Sequence, residues 1–177
     1  EENVYDFSLG NPSVASPDEV NEALVTLIKE ESPVKLHGYT SAQGDASVRE
    51  SIASYINESY DENISADCIY MSVGAAAALT ASLTAIVSPG EEVMVLSPYF
   101  PEYKVFIEKA GAKMVLIPAE IEGFQIDFDA FEKALNPNTA AVLVNTPNNP
   151  SGVVYSEDTV KKLADILKAK QEEFGHP

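Results

Sequence analysis

Three short stretches carry residue types whose spacing could do chemistry. Ser72-Val73-Gly74-Ala75-Ala76 reads as an extended run entering a helix N-terminus. Its small side chains leave the first backbone N–H groups open to a ligand, and the helix dipole favours an anion such as phosphate. Tight packing at a helix start explains the same residues as well. Ser97-Pro98-Tyr99-Phe100-Pro101-Glu102-Tyr103 follows a strand-like run, and its two prolines stiffen the loop. A ring held this way can stack on a flat heterocycle, or it can simply anchor the loop on the core. Asn145-Thr146-Pro147-Asn148-Asn149-Pro150-Ser151-Gly152 also follows a strand-like run. Asn before Pro favours extended or turn geometry, and its amide can donate a hydrogen bond into a pocket. A plain Asn/Pro/Gly turn is the alternative.

The elements that must position these stretches alternate between helix and strand. Ser16-Pro17-Asp18-Glu19 reads as a helix start with Ser16 as cap, followed by Val20, Ala23, Leu24, Leu27 and Ile28 on one face. Pro33 closes that helix. Asp45 caps the next, whose apolar face is Val48, Ile52, Tyr55 and Ile56. Strands are expected at 68–73, 93–96, 114–117 and 140–144. Helices are expected at 75–87, 102–110 and 129–135, with a last one from Ser156. The helix at 75–87 is expected to bury Leu79, Leu83, Ile86 and Val87. Asp127, Asp129 and Glu132 read as a strand-to-helix turn and cap. Short apolar strands without polar alternation indicate a parallel sheet covered by helices on both faces. Ligands collect at the carboxyl ends of such strands, where all three stretches fall. The fold class is therefore α/β, a three-layer αβα sandwich with a mostly parallel sheet. Residues 1–45 form a less regular lead-in and 46–177 the main domain.

Composition narrows the chemistry. The 177 residues carry a net charge of −17, from 28 acidic and 11 basic side chains. Such a chain repels nucleic-acid phosphates and anionic membranes, so neither is an expected partner. No apolar run approaches the roughly eighteen residues of a membrane helix. The single cysteine, Cys68, lies in an apolar run and is expected to be buried and structural. A cytoplasmic location is expected. His37 and His176 are too far apart and too poorly accompanied to suggest a metal site. Arg49, the only arginine, is placed on the surface-like side of its helix in a structural salt bridge. Ser32-Pro33-Val34-Lys35 fits an S-x-x-K pattern without its structural context, so Lys35 is read as solvated.

The order of LGNP (9–12), GYTSAQGDASVRESIA (38–53), SVGAAAAL (72–79), SPYFPEY (97–103) and NTPNNPSG (145–152) resembles class I/II aminotransferases of pyridoxal-phosphate (PLP) fold type I. The likeness runs over essentially the whole chain, with NxPxNPxG its most specific element. It implies an incomplete large domain of that fold, preceded by a small-domain or interface segment. It implies that backbone N–H groups at Ala75 and Ala76, after Gly74, hold the cofactor phosphate. Phe100 would stack on the pyridine ring, where some branches carry Trp with an additional donor toward substrate. Asn149 would bond the cofactor's phenolic oxygen and stabilise the phenolate. Tyr39 would reach the phosphate of a neighbouring subunit. Gly10 would pack near the substrate carboxylate, and Asn149 also lies on the substrate side.

The resemblance further implies a homodimer that moves an amino group between an amino acid, aspartate-like first, and a 2-oxo acid by ping-pong kinetics. The cofactor-bonding lysine, the acid that pairs with the pyridinium nitrogen and the phosphate- and carboxylate-binding arginines are expected beyond Pro177, so no catalytic residue is assigned. A start at Glu1-Glu2 without Met reads as trimmed. The chain alone is expected to be inactive and to associate through an uncovered sheet edge and helix layer. A fold-type-I lyase would share every motif present. A non-catalytic alternative is the aminotransferase-like ligand domain of a transcription regulator. A nucleotide-binding reading lacks both G-x-G-x-x-G and the P-loop lysine.

Overall fold

The computed structural model describes residue 10 and residues 13–176. The chain forms two compact units, Glu1–Tyr70 and Met71–Pro177.

The first unit is helical. α1 spans Asp18–Glu30, α2 Pro33–Leu36 and α3 Ala46–Tyr60. Pro17, not Ser16, occupies the cap of α1, and no side chain caps it. The apolar stripe of α1 is exposed, with Leu24 and Ile28 more than half accessible. Periodicity found the helix, but no described residue covers the face. Pro33 does not merely stop a helix; it opens α2, where Ser32 accepts from the Lys35 amide. Lys35 stays exposed and pairs with Glu31 at 2.6 Å. Asp45 caps α3 as its position implies, accepting from the amides of Ser47 and Val48.

α3 turns a different face inward from the one its apolar residues suggest. Val48 and Tyr55 are exposed, whereas Arg49 and Ala53 are buried. The Arg49 side chain lies against a 3-10 turn at Ala66–Cys68, where Nη1 donates to the Ala66 carbonyl at 2.7 Å. Its carboxylate neighbour, Asp67, is a looser 3.8 Å away and largely exposed. The strand expected at 68–73 does not form. Ser65 accepts from the Asp67 amide and holds the 3-10 turn, and the residues after it pair with no strand among those described. An apolar run alone gives no ladder; it needs a neighbour. Cys68 is consequently exposed rather than buried.

The second unit is layered. α4 (Gly74–Ile86), β1 (Glu92–Leu96), α5 (Glu102–Lys109), β2 (Lys113–Ile117), α6 (Phe128–Ala134), β3 (Thr139–Leu143) and α7 (Glu157–Phe174) follow in order. The sheet is parallel with order β2-β1-β3. Alternation along β1 builds the two cores. Val93 and Val95 pack with Leu83, Val87, Tyr103 and Ile107, beneath α4 and α5. Met94 and Leu96 pack with Ile117, Phe131 and Leu163, beneath α6 and α7. Both faces of the sheet thus carry helices. Met94, Val93, Val95, Ile107, Ile117 and Phe131 are almost completely buried. Burying one such side chain is worth about 1.5–3 kcal/mol.

Local signals explain the element ends. Asp127 accepts from the Ala130 amide at 2.9 Å to start α6, and Ser156 accepts from the Thr159 amide at 3.1 Å to start α7. In α4, Leu83 faces the core, whereas Ile86 is exposed. The Ala- and Thr-rich side of this helix faces outward, so the burial expected of Ile86 is not found. Among the described residues no helix is long and apolar enough to cross a membrane.

Candidate functional site

Chain path creates a crevice at the carboxyl end of the sheet. β1 and β3 are adjacent, yet the helices that follow them lie on opposite faces: α5 with the Val93 side and α7 with the Met94 side. The loops leaving the two strands must therefore part. In open α/β sheets this parting point is where ligands bind. Residues 97–101 form one lip and residues 144–152 the other.

α4 brings a helix N-terminus to the same end. Its C-terminus runs through Val87 and the turn at 88–91 into the start of β1, and Gly90 bonds the Gly111 carbonyl just before β2. A helix of 13 residues is about 20 Å long, longer than a strand of 5 residues at about 16 Å. With Leu79, Leu83 and Val87 all on the sheet, the helix reaches back to the carboxyl end. Gly74 opens it with φ +80°, a conformation that suits glycine, and a Cβ there would meet nothing within 4 Å. Val73 provides no side-chain cap. Ala75 and Ala76 are exposed. The first-turn amides are thus left without a side-chain acceptor.

Phe100 sits on the first lip, half-buried and packed on the same core cluster as Leu79. The Tyr103 ring meets it edge-on at 5.7 Å, fixing its tilt. Burial raises the Tyr103 phenol above its ordinary value, so the ring stays neutral. Asn149 sits on the second lip, and its side chain is exposed with no hydrogen-bond partner among the described residues. The peptide bonds Ser97-Pro98, Thr146-Pro147 and Asn149-Pro150 are cis.

The residue that sequence reasoning missed is Asn148. It is buried, and its Nδ2 donates to the Pro98 carbonyl at 3.1 Å, across the crevice. Its Oδ1 accepts from the Ser151 amide and hydroxyl. Asn148 and Asn149 are alike in residue type, and burial separates them. Thr146 Oγ1 accepts from the Tyr155 amide at 3.0 Å and closes the base of the same loop.

Gly74, Ala75, Ala76, Phe100 and Asn149 thus share one end of the second unit. Gly10 and Tyr39 belong to the first unit, where both are exposed. No group of His, Cys, Asp and Glu suited to a metal occurs among the described residues.

A family model for aminotransferase class I and II matches residues 2–172. The chain belongs to this family. Similar aminotransferases include the probable N-acetyl-LL-diaminopimelate aminotransferase of Bacillus subtilis, 33% identical over 96% of this chain and 42% of its own length. The aspartate aminotransferase of Thermotoga maritima is 34% identical, over 96% of this chain and 44% of its own. Among solved aminotransferase structures, one from Eubacterium rectale superposes with a TM-score of 0.96 at 50% identity, covering 99% of this chain and 44% of that one. Aspartate aminotransferase from Thermus thermophilus with maleate gives 0.84 at 30% identity, over 92% and 42%. The chain thus spans less than half the length of the relatives it matches. The αβα sheet is the aminotransferase fold over that span.

This family implies PLP, and the site's own donor set fits that group. An uncapped helix start suits its phosphate, a braced aromatic face suits its ring, and an unpartnered amide suits its hydroxyl.

Proposed function

We propose that this chain supplies part of the cofactor pocket of a PLP-dependent aminotransferase, acting on an amino acid and a 2-oxo acid. PLP, when bound, supplies an electron sink for cleavage of a bond at the substrate Cα. The amides of Ala75 and Ala76, behind Gly74, would hold the phosphate at the helix N-terminus. Phe100 would lie against the ring, excluding water from one face. Asn149 would donate to the ring hydroxyl oxygen and favour its ionised form. Gly10 would leave room for the substrate carboxylate. Tyr39 would reach the phosphate of a second subunit in a homodimer.

The observation that carries this reading is the Asn148–Pro98 bond, which joins two strand-end loops at the adjacent strands β1 and β3. The uncapped start of α4 would add its amides at the same end of the unit. Aspartate is the first donor to try, since relatives carry that activity in their names. N-acetyl-LL-diaminopimelate is the second, for the same reason. These names favour amino transfer over the lyase chemistry that the same motifs would allow. The lysine, the pyridinium-pairing acid and the arginines are proposed to lie outside these 177 residues, so the chain alone is expected to give no turnover. The test is amino-group transfer by the whole protein with PLP, using each donor and 2-oxoglutarate. Release of a 2-oxo acid supports the reading. Cleavage of a side chain without transfer would replace it with a lyase.

A further inference from the structure

Asn148 is one of two buried polar residues among those described, the other being Arg49. Burying an amide is costly unless each side of it is bonded. Here both sides are. The Pro98 carbonyl faces Nδ2 at 3.1 Å, and the Ser151 amide and hydroxyl face Oδ1 at 3.1 and 2.8 Å. A carbonyl on one side and an N–H on the other fix which way the amide points. The main chain adds to the closure. The Asn148 amide donates to the Val153 carbonyl at 2.9 Å, and the Gly152 amide donates to the Asn148 carbonyl at 2.7 Å. Gly152 takes φ +73°, which lets the chain fold back at this point.

We propose that Asn148 is a positioning residue that latches the two lips of the crevice together. It joins residues 50 apart in sequence, two before Phe100 on one side and one before Asn149 on the other. A ring-stacking face and a hydroxyl-binding amide are useful only at a fixed separation. Neither lip supplies that separation alone, because the helices behind them lie on opposite faces of the sheet. The Asn148–Pro98 bond supplies it directly. This inference rests on the reading that Phe100 and Asn149 face PLP, but the latch has its own readout.

Amide hydrogen exchange on the whole protein, stripped of PLP, reads the latch without turnover. The Gly152 amide reports the near lip. The Tyr103 amide, which donates to the Phe100 carbonyl, reports the far lip. Asn148→Ala is expected to speed exchange at both, by roughly fivefold to tenfold, the scale of one lost hydrogen bond. It is also expected to weaken PLP binding by about tenfold, measured by absorbance titration. Asn148→Asp keeps the acceptor for Ser151 but loses the donor to Pro98. It is expected to loosen Tyr103 while sparing the Ser151 turn, and it serves if the Ala variant does not fold. Asn149→Ala tests the underlying reading: the pH midpoint of the bound cofactor's visible band shifts while Tyr103 exchange stays unchanged. Unaltered Tyr103 exchange in both Asn148 variants overturns the latch, whatever Asn149→Ala shows. Faster exchange with unchanged PLP affinity also overturns it, since loop order would then not serve the cofactor. An unmoved band in Asn149→Ala fails the pocket reading, and the latch's bearing on PLP falls with it.

Discussion

Asn148 donates from Nδ2 to the carbonyl of Pro98 at 3.1 Å, across the point where the β1 and β3 connections diverge. That contact turns two separate loops into the walls of one crevice. A parallel sheet supplies strand ends at one edge, but it does not fix how far the following loops spread. A buried amide bonded on both sides does.

Phe100 is expected to contribute by its face. Phe100→Ala should weaken PLP binding by about two- to tenfold, the scale of an aromatic contact. Phe100→Tyr should retain most of the affinity. Fluorescence or absorbance titration of PLP into the whole protein checks both.

The core of the second unit is expected to depend on Phe131, which is fully buried between β1, β2 and α7. Phe131→Ala should cost about 3–5 kcal/mol through lost burial and the cavity left behind. Ile121→Ala, at a residue 96% exposed, should stay within about 0.5 kcal/mol. Urea denaturation of the two variants makes the comparison.

Arg49 is expected to act through the Ala66 carbonyl more than through Asp67. Arg49→Ala removes the donor at 2.7 Å and should cost about 1–3 kcal/mol. Asp67→Ala, removing an exposed partner at 3.8 Å, should cost less than about 1 kcal/mol. Matched denaturation midpoints for the two variants would contradict this ordering.

Asp45 gives a pH dependence with a defined sign. The Ser47 hydroxyl, then the Val48 and Ser47 amides, hold its carboxyl below the ordinary value. A lowered folded value means that the cap's contribution is complete above the unfolded aspartate value of about 3.9. It is lost as pH falls through the folded value. The melting-temperature difference between wild type and Asp45→Ala should be constant from pH 8 to 5 and shrink below about pH 4. A difference that grows on acidification would contradict the assignment.

Much of the second unit was legible from sequence because its signals are local. Asp127 and Ser156 are caps that work within their own turn, and Val93–Leu96 is a short apolar run bounded by Gly and Pro turns, which reads as a buried strand. The paired prolines around Tyr99 and Phe100 mark a strand-end loop, and Gly74 marks a helix start. What escaped depended on partners. The run at 68–73 has strand composition but no neighbour to pair with among the described residues, so it stays unpaired and leaves Cys68 exposed. Arg49 reads from sequence as a surface-like helix position in a structural salt bridge, yet its side chain is buried and bonds the carbonyl of a turn 17 residues away. Asn148 escapes because its role depends on burial and on the Pro98 carbonyl 50 residues away, neither of which the local motif shows.

One PLP molecule is expected to meet the α4 start, Phe100 and Asn149 together. A crystal structure of the whole protein with PLP tests it most directly. Phosphate oxygens about 3 Å from the Ala75 and Ala76 amides are expected. The ring should lie on Phe100 and the ring oxygen should sit on the Asn149 amide. Phosphate density away from the α4 N-terminus, or a ring that leaves Phe100 and Asn149 untouched, would contradict it.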